Sequence, residues 1–538
     1  MMYEHISPTR CLQSISSWLL LVTLLVGSSS ICPAQVVPAV PPAAPQFLEM
    51  AIFPGYIENE LNRATVRAMV NRHMGQINDI VQGRKSLDGN EAAMEQWFGK
   101  YIFARMTQLN KLGELDKMRI DFFKRYLVNV QYTASRNNVL THDYLVELTL
   151  QKMQEIVEGN YHPAVRFNAM LTIGRLNSVE AFDPTTGARV VPLPSRQALG
   201  YLVNQLQVPN QMDALQLAAW IGILRHTTLD RYHSPQNQIP VEGKDIIRGL
   251  ATGLIQQQDP PPGRSPQGHI WLQRRGIDVL AMLGTDPDAQ VLSAIEAFAA
   301  DDNSPMSLRL TAARSLANFK YDAQTTIAAI PAAHTLGALA ARACRNEIAR
   351  VDDAKRKKNR GQDTGGGGMG MQGGMEGMEG MEGMAGGGGA MDGMFGGGGG
   401  GPGAETENQL SPKDASIVQY TRRRLKYQLF YIQQGLGTAN NPSSGLMMAA
   451  DAEGRLEVQK VADKVDAIMQ VLAEPKLTAK VSGDKKPRKP IELVELDEMM
   501  KEVRKKTREL EALVVKAGKP LIPAPMADPA VPDGPGGN

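Results

Sequence analysis

The 538-residue chain is poor in cysteine, with only Cys11, Cys32 and Cys344. The first two fall in a segment that we predict below to be removed, so an internal disulfide is excluded in the mature chain. The fold must then rest on packing. Cys344 has alanine on its N-terminal side at Ala343 and is expected to occupy a small, buried position in a helix.

Aromatic residues are also scarce, at 5%, whereas apolar residues make up 43% of the chain. This balance is typical of closely packed helices and not of a β-rich sandwich. The net charge is only +2, which provides no overall attraction to nucleic acid or to a membrane surface. The sequence therefore predicts an all-α protein without a nucleic-acid partner.

Motifs that would indicate catalysis are missing. No serine lies in a nucleophile elbow, no Gly-Lys-Ser/Thr loop could cradle a phosphate, and no paired cysteines could hold a metal. We therefore expect a protein that is not an enzyme and has no cofactor. No catalytic, cofactor-binding or metal-binding residue is assigned from the sequence.

The N-terminus carries the features of a secretory signal peptide. Arg10 precedes the short apolar run 18–26, which small residues and Cys32-Pro33-Ala34 follow. The run is too short to be a comfortable membrane span. We predict a signal peptide over 1–34 and an exported protein, periplasmic or extracellular, in or near the cell envelope. An uncleaved anchor is the alternative, and the mature form is expected to have no transmembrane span.

Two later segments share one pattern. Each begins with a proline, continues with small residues, and has apolar residues every three or four positions. Proline favours the first turn of a helix, and small residues let a neighbouring helix approach. The two copies are Pro163-Ala164-Val165-Arg166 with Ala169, Ile173, Gly174 and Leu176, and Pro305-Met306-Ser307-Leu308-Arg309 with Ala312, Leu316, Ala317 and Phe319.

The second copy resembles the HEAT-like repeats of bacterial exported proteins. The matching residues are Asp302, Pro305, Leu308, Arg309, Ala312 and Leu316. In that family the arginine and the aspartate tie successive helices together. The first copy keeps the arginine as Arg166 but has Asn160 in place of the aspartate, which puts one such tie in doubt. The resemblance implies an α-solenoid, in which stacked helix pairs usually bind other molecules.

Hydrophobic spacing extends the pattern to four helix pairs and one further helix. An N-terminal Pro-rich arm (35–49) and helical region (50–140) precede the repeats, which span 141–352. The expected helices are 143–158 with 163–177, 195–207 with 211–225, 243–257 with 269–284, 288–300 with 304–320, and 334–350, the last expected to close the stack.

Two insertions, 178–194 and 226–242, each connect one pair to the next. Equivalent connections lie on the same edge of a stacked array, so these insertions are expected to be neighbours. His226, Asp230 and His233 fall on the second one, expected to be a loop. They could hold a divalent ion, but ordinary surface polarity is the favoured interpretation.

Residues 353–410 are predicted to be a disordered, Gly/Met-rich linker. Its thioethers could bind Cu(I) or contact apolar partners, or the segment could be a passive spacer. The methionines are Met369, Met371, Met375, Met378, Met381, Met384, Met391 and Met394. Basic clusters at 355–360, 422–426 and 485–489 flank the flexible parts, and we interpret them as solvated helix ends and linkers.

A C-terminal helical module is expected over 411–517, followed by a disordered Pro-rich tail over 518–538. Ser411-Pro412 marks a helix start, and three apolar stripes follow. Three amphipathic helices can form a bundle, or one can pair with another chain as a short coiled coil. The leading functional hypothesis is an exported, non-catalytic scaffold that binds a protein through the solenoid. The alternatives are a self-associating envelope component and a Met-rich copper-handling protein.

Overall fold

The structure is a computed structural model. It describes residues 46–57, 63–128, 136–181, 188–283, 289–319, 321, 328–359, 412–437, 444–473 and 491–518. The predicted signal peptide, the Gly/Met-rich segment, the basic cluster 485–489 and the Pro-rich tail beyond Gly518 lie outside the described residues. The described residues from Phe47 onward form one compact unit.

The described part of the chain is almost entirely helical, which confirms the all-α prediction. Its N-terminal region consists of α1 (Arg63–Val81), α2 (Glu91–Trp97), a π-helical stretch (Phe98–Phe103), α3 (Ala104–Met106) and α4 (Leu115–Phe122), which a second π-helical stretch extends (Phe123–Leu127). The few aromatic residues are concentrated here. Trp97, Phe98, Phe103, Phe122 and Phe123 are fully buried and form much of this region's core.

Four helix pairs follow, with bounds close to those expected from the sequence. They are α5 (Arg136–Glu158) with α6 (Pro163–Arg175), α7 (Arg196–Leu206) with α8 (Asp213–Asp230), α9 (Val241–Gln256) with α10 (Pro266–Leu283), and α11 (Ala289–Ala300) with α12 (Met306–Ser315). Between α6 and α7 the structure has a two-stranded antiparallel ladder that was not predicted, formed by β1 (Asn177–Val179) and β2 (Leu193–Pro194).

The second helix of each pair packs on the second helix of the next pair, so that α6, α8, α10 and α12 form one continuous layer. The closest approach is at a pair of glycines. A Cβ atom on Gly174 would lie 2.7 Å from the Cα of Gly222, so the two backbones touch where α6 meets α8. The small residues of the repeat pattern therefore permit close helix contact, as the sequence indicates.

The arginine ties differ between the two copies. Arg309 is buried and donates to Asp302 Oδ1 at 2.7 Å and to the Ala299 carbonyl at 3.1 Å. Arg166 has no carboxylate partner among the described residues of its pair, but its Nε donates to the Val157 carbonyl at 2.7 Å. Both arginines thus satisfy a carbonyl at the end of the preceding helix, where helix carbonyls lack internal partners. Replacing the aspartate by Asn160 removes the ion pair and leaves this hydrogen bond.

The stack continues beyond the point where it was expected to close. Helix α13 (Ala329–Asn359) is followed by α14 (Pro412–Leu436), and α14 packs on α12 as the next member of the layer. At Gly435 an added Cβ would lie 2.1 Å from the Ala313 carbonyl oxygen. Closure of the stack by a helix near 334–350 is therefore wrong. That helix pairs with α14, across the chain segment that contains the Gly/Met run.

The remaining helices cover this fifth pair. Helices α15 (Leu446–Ala449), α16 (Ala452–Ala473) and α17 (Ile491–Lys516) all pack on α13 and on α14, and α16 also packs on α15 and α17. The apolar residues predicted on their seams are buried there, including Val461, Val465 and Val503. A Cβ on Gly337 of α13 would lie within 3.1 Å of the side chains of Val461 and Val514. The three C-terminal helices expected from the apolar stripes are thus present as α14, α16 and α17.

We predict that Gly435→Ala destabilises the full-length protein, because the added Cβ meets backbone that only a shift of α14 can relieve. Overpacking of this kind costs about 1–3 kcal/mol. Gly253→Ala is the matched control: Gly253 is an exposed position in α9 where an added Cβ meets nothing within 4 Å. The control should gain up to about 1 kcal/mol from helix propensity. Urea unfolding measures the stability of both variants. Equal stabilities would contradict the close contact between Gly435 and the Ala313 carbonyl.

Candidate functional site

The two insertions lie side by side, as predicted. His233 Nε2, in the second insertion, is 3.1 Å from the Pro192 carbonyl oxygen in the first. Arg196, just beyond the first insertion, donates from Nη2 to the Gln236 carbonyl at 2.8 Å. The connections therefore meet at one edge of the stack, and hydrogen bonds hold them together.

A buried polar network anchors the first insertion to the stack. Glu180 is only 4% exposed, and its Oε2 accepts a hydrogen bond from Asn177 Nδ2 at 2.7 Å. Asn177 Oδ1 in turn accepts from Arg225 Nη2 of α8 at 2.6 Å. Burial lowers the pKa of Arg225 to about 10, although Glu180 opposes that shift. The guanidinium stays charged at neutral pH, and the charged network fixes the insertion in place.

A buried ion pair anchors the second insertion. Asp230, at the end of α8, lies 2.7 Å from Lys244 Nζ at the start of α9, and both side chains are largely buried. The Asp230 carboxylate also accepts a hydrogen bond from the backbone N–H of Ile239. One carboxylate thus connects the end of α8, the insertion and the start of α9. Removing either charge would leave the other buried without compensation.

Between the anchored insertions and α7, α8 and α9 lies a cavity of about 330 Å³, which we call the insertion cavity. Most of its walls are apolar side chains, namely Leu193, Pro194, Leu199, Val203, Ile239, Pro240, Ile246 and Ile247. Gly200 of α7 is exposed at its edge, and a Cβ added there would meet nothing within 4 Å. A cavity of this size and polarity falls within the usual range of ligand pockets.

His226 is the most unusual group in the cavity wall. It is 2% exposed, and one ring nitrogen bonds the Gly174 backbone carbonyl. Its Nε2 is buried without a hydrogen-bond partner. Burial, together with the nearby Arg225 charge, lowers the pKa of His226 to about 3. The ring is therefore neutral at physiological pH.

Exposed apolar side chains occur in the chain segments that line the insertion cavity. Tyr232 is 70% exposed and Val241 69% exposed, and Ile246, which also lines the cavity, is 51% exposed. In the first insertion Val190 and Val191 are exposed as well. Scattered apolar residues are normal on a surface, but a group around a concave apolar site indicates a binding surface. We call these five residues the insertion face.

The structure changes the interpretation of the three residues considered for a metal site. His226 and Asp230 lie one turn apart in α8 and are buried, so their assignment to a surface loop is wrong. Only His233 lies in the insertion. All three line the cavity, but Asp230 pairs with Lys244 and His233 bonds Pro192. Among the described residues no group of three His, Cys, Asp or Glu side chains is arranged to hold a metal.

Other residues singled out from the sequence have structural roles or lie outside the described part. Cys344 is buried in α13, as predicted, and burial raises the pKa of its thiol to about 12. In the basic cluster 422–426, Arg424 Nε lies 3.6 Å from Glu347 Oε2, so this arginine helps join α14 to α13. The methionines of the Gly/Met segment lie outside the described residues.

Comparison of the chain with protein-family models, with curated proteins and with solved structures finds no match. In the described part of the chain no helix is both long and apolar enough to cross a membrane. The function has to be inferred from the geometry alone.

We predict that the buried neutral state of His226 lowers stability in acid. The folded-state pKa is depressed from 6.5 to about 3, so between these values the unfolded chain binds one proton more than the folded chain. His226 therefore reduces the free energy of unfolding by about 1.4 kcal/mol for each pH unit below 6.5. His226→Gln removes this contribution. Unfolding curves of the natural protein and of His226→Gln, recorded from pH 6.5 to 4, measure this pH-dependent contribution. A stability difference between the two proteins that does not change with pH would contradict the prediction.

Proposed function

We propose that this protein is an exported, non-catalytic scaffold of the HEAT-like type, which binds another protein through its stack of helix pairs. The insertion face is the contact surface. The single observation that carries this proposal is the apolar insertion cavity, together with exposed Tyr232, Val241 and Ile246 in the segments that line it. Aromatic and aliphatic side chains around a pocket are typical of the centre of a protein interface.

The anchoring contacts support binding by a prepared surface. Arg196, Asp230 and Lys244 hold the second insertion through charged hydrogen bonds, and His233 joins it to the first. A surface held in place before binding avoids part of the entropy cost of ordering loops. The proposal needs no bound metal or cofactor, because the wall of the cavity is mostly apolar and its one carboxylate is paired.

We place the contact surface at the insertions and not on the C-terminal helices. The apolar stripes of α16 and α17, which suggested self-association, are already buried against α13 and α14. Helices whose apolar faces are covered within their own chain have no seam to offer to a second copy. A self-associating envelope component would have to use the apolar side chains that the C-terminal helices leave exposed, which include Phe430, Leu456 and Val515.

We expect a photo-reactive phenylalanine analogue in place of Tyr232 to form a specific protein adduct when the full chain is expressed in its native cell. The same analogue in place of Leu456, on α16 and 66% exposed, is the matched control. Excess unmodified protein should suppress the adduct at Tyr232. Mass spectrometry identifies the adducts. Identical adducts from both positions, or none from Tyr232, would remove the support for this surface.

A further inference from the structure

Exposed aromatic side chains are rare in this protein, and two of them lie on one face of α14. Among the described residues only Tyr232, Tyr420 and Phe430 are exposed aromatics, and the last two are 48% and 46% exposed. Arg423 and the half-buried Tyr427 lie between them at intervals of three and four positions. This spacing places all four residues on the same side of the helix. We call Tyr420, Arg423, Tyr427 and Phe430 the α14 face.

The helices on either side of α14 hold this face in place. Tyr427 donates a hydrogen bond to the hydroxyl oxygen of Tyr431 at 2.9 Å, and Arg314 of α12 donates to the same oxygen at 3.0 Å. The Arg314 guanidinium also lies 4.7 Å from the centre of the Tyr431 ring. On the other side of α14, Gln433 donates to the carboxylate of Asp466 in α16. The face is therefore ordered before any partner binds.

Positive charge at the α14 face exceeds the negative charge around it. Arg423 is exposed and makes no hydrogen bond or ion pair in the described part of the chain. Glu347 of α13, only 2% exposed, is shared by Arg350 and by Arg424, whose Nε lies 3.6 Å from its Oε2. Arg350 also lies over the ring of Tyr420, at 5.1 Å from its centre. Two cations thus share one buried carboxylate, and Arg423 has none.

The layer of second helices has no spare carboxylate to neutralise this charge. Helices α6, α8, α10 and α12 contain three acidic residues, and each of them pairs with a cation of its own. The pairs are Asp213 with Arg264, Asp230 with Lys244, and Asp278 with Arg314. In α14 the one acidic residue is Asp414, in its first turn. The α14 face is therefore a local excess of positive charge in a chain whose net charge is only +2.

Charge and aromatic content together restrict the chemistry of a partner. A guanidinium binds a carboxylate through two parallel hydrogen bonds, and tyrosine, phenylalanine and arginine are enriched at protein interfaces. A lipid surface fits less well, because a helix that lies in the lipid interface inserts an apolar face. The apolar stripe of α14, which includes Leu425 and Leu429, is fully buried in the protein. A polyphosphate has no apolar groups to pack on the two exposed aromatic rings.

We propose that the α14 face binds an acidic segment of another protein. A carboxylate of that segment pairs with Arg423, and its apolar side chains pack on Tyr420 and Phe430. This second surface goes beyond the contact proposed at the insertion face, and neither surface depends on the other. It binds through charge and aromatic rings, whereas the insertion face is mainly aliphatic.

The first test uses the full-length protein and a labelled, glutamate-rich peptide that also carries leucine. A second peptide has lysine in place of every glutamate. Fluorescence anisotropy should show binding of the glutamate peptide only, and Arg423→Glu should weaken it at least about threefold, because it replaces an attraction by a repulsion. Arg67→Glu is the matched control, since Arg67 is an exposed arginine of α1 with no ion pair among the described residues. Equal weakening by both variants, or no binding of the glutamate peptide, overturns the proposal.

A second pair of variants tests the aromatic part of the face. Phe430→Ala should weaken binding of the glutamate peptide at least about threefold, because the leucines lose their contact. Leu456→Ala, at a 66% exposed position of α16, should leave binding unchanged. The natural protein is also titrated with polyphosphate and with phosphatidylglycerol vesicles. If either binds more tightly than the glutamate peptide, the α14 face is a site for that polyanion or for lipid, and the proposal fails.

A third measurement identifies the partner segment in the native cell. A photo-reactive phenylalanine analogue in place of Phe430 should form a protein adduct, and mass spectrometry should place the cross-link in a partner peptide rich in Asp and Glu. Arg423→Glu should lower the yield of this adduct, whereas Arg67→Glu should not. No adduct, a neutral or basic partner peptide, or an adduct with a second copy of this chain overturns the proposal, whatever the result at Tyr232.

Discussion

Close contact between successive second helices is the constraint on which the rest of the structure depends. Gly174 meets Gly222 backbone to backbone, and Gly435 meets the Ala313 carbonyl in the same way. Because these helices pack this closely, the connecting segments have no room within the layer and must lie at its edges. The edges are thus where sequence can be added without disturbing the core. Both insertions are additions of this kind.

The insertion cavity follows from that arrangement and from a few buried charges. Equivalent connections bring the two insertions together, and the Asp230–Lys244 pair and the Arg196 hydrogen bonds stop them from collapsing onto the stack. An apolar space remains, with His226 in its wall.

The helix pairs were largely predictable from apolar spacing and from proline positions, and Pro163 does open α6. The helix bounds were predicted wrongly where polar side chains bond residues that are distant in the sequence. The end of α8 was expected to be a loop because the second insertion was placed at 226–242. The helix continues there because Arg225 bonds Asn177 and Asp230 pairs with Lys244. The cavity was not predictable either, since its walls come from three helices and two insertions.

Apolar spacing and proline positions were enough to predict that the chain is helical, that its helices pair, and that two insertions share an edge. Periodicity is local, so it shows which face of a helix is apolar. Only the tertiary structure decided what covers each face. The Gly/Met run is typical of a domain boundary, yet α13 and α14 on either side of it pack together as a pair. The entropy cost of closing a loop grows only slowly with its length, so a long segment can separate two helices that remain partners.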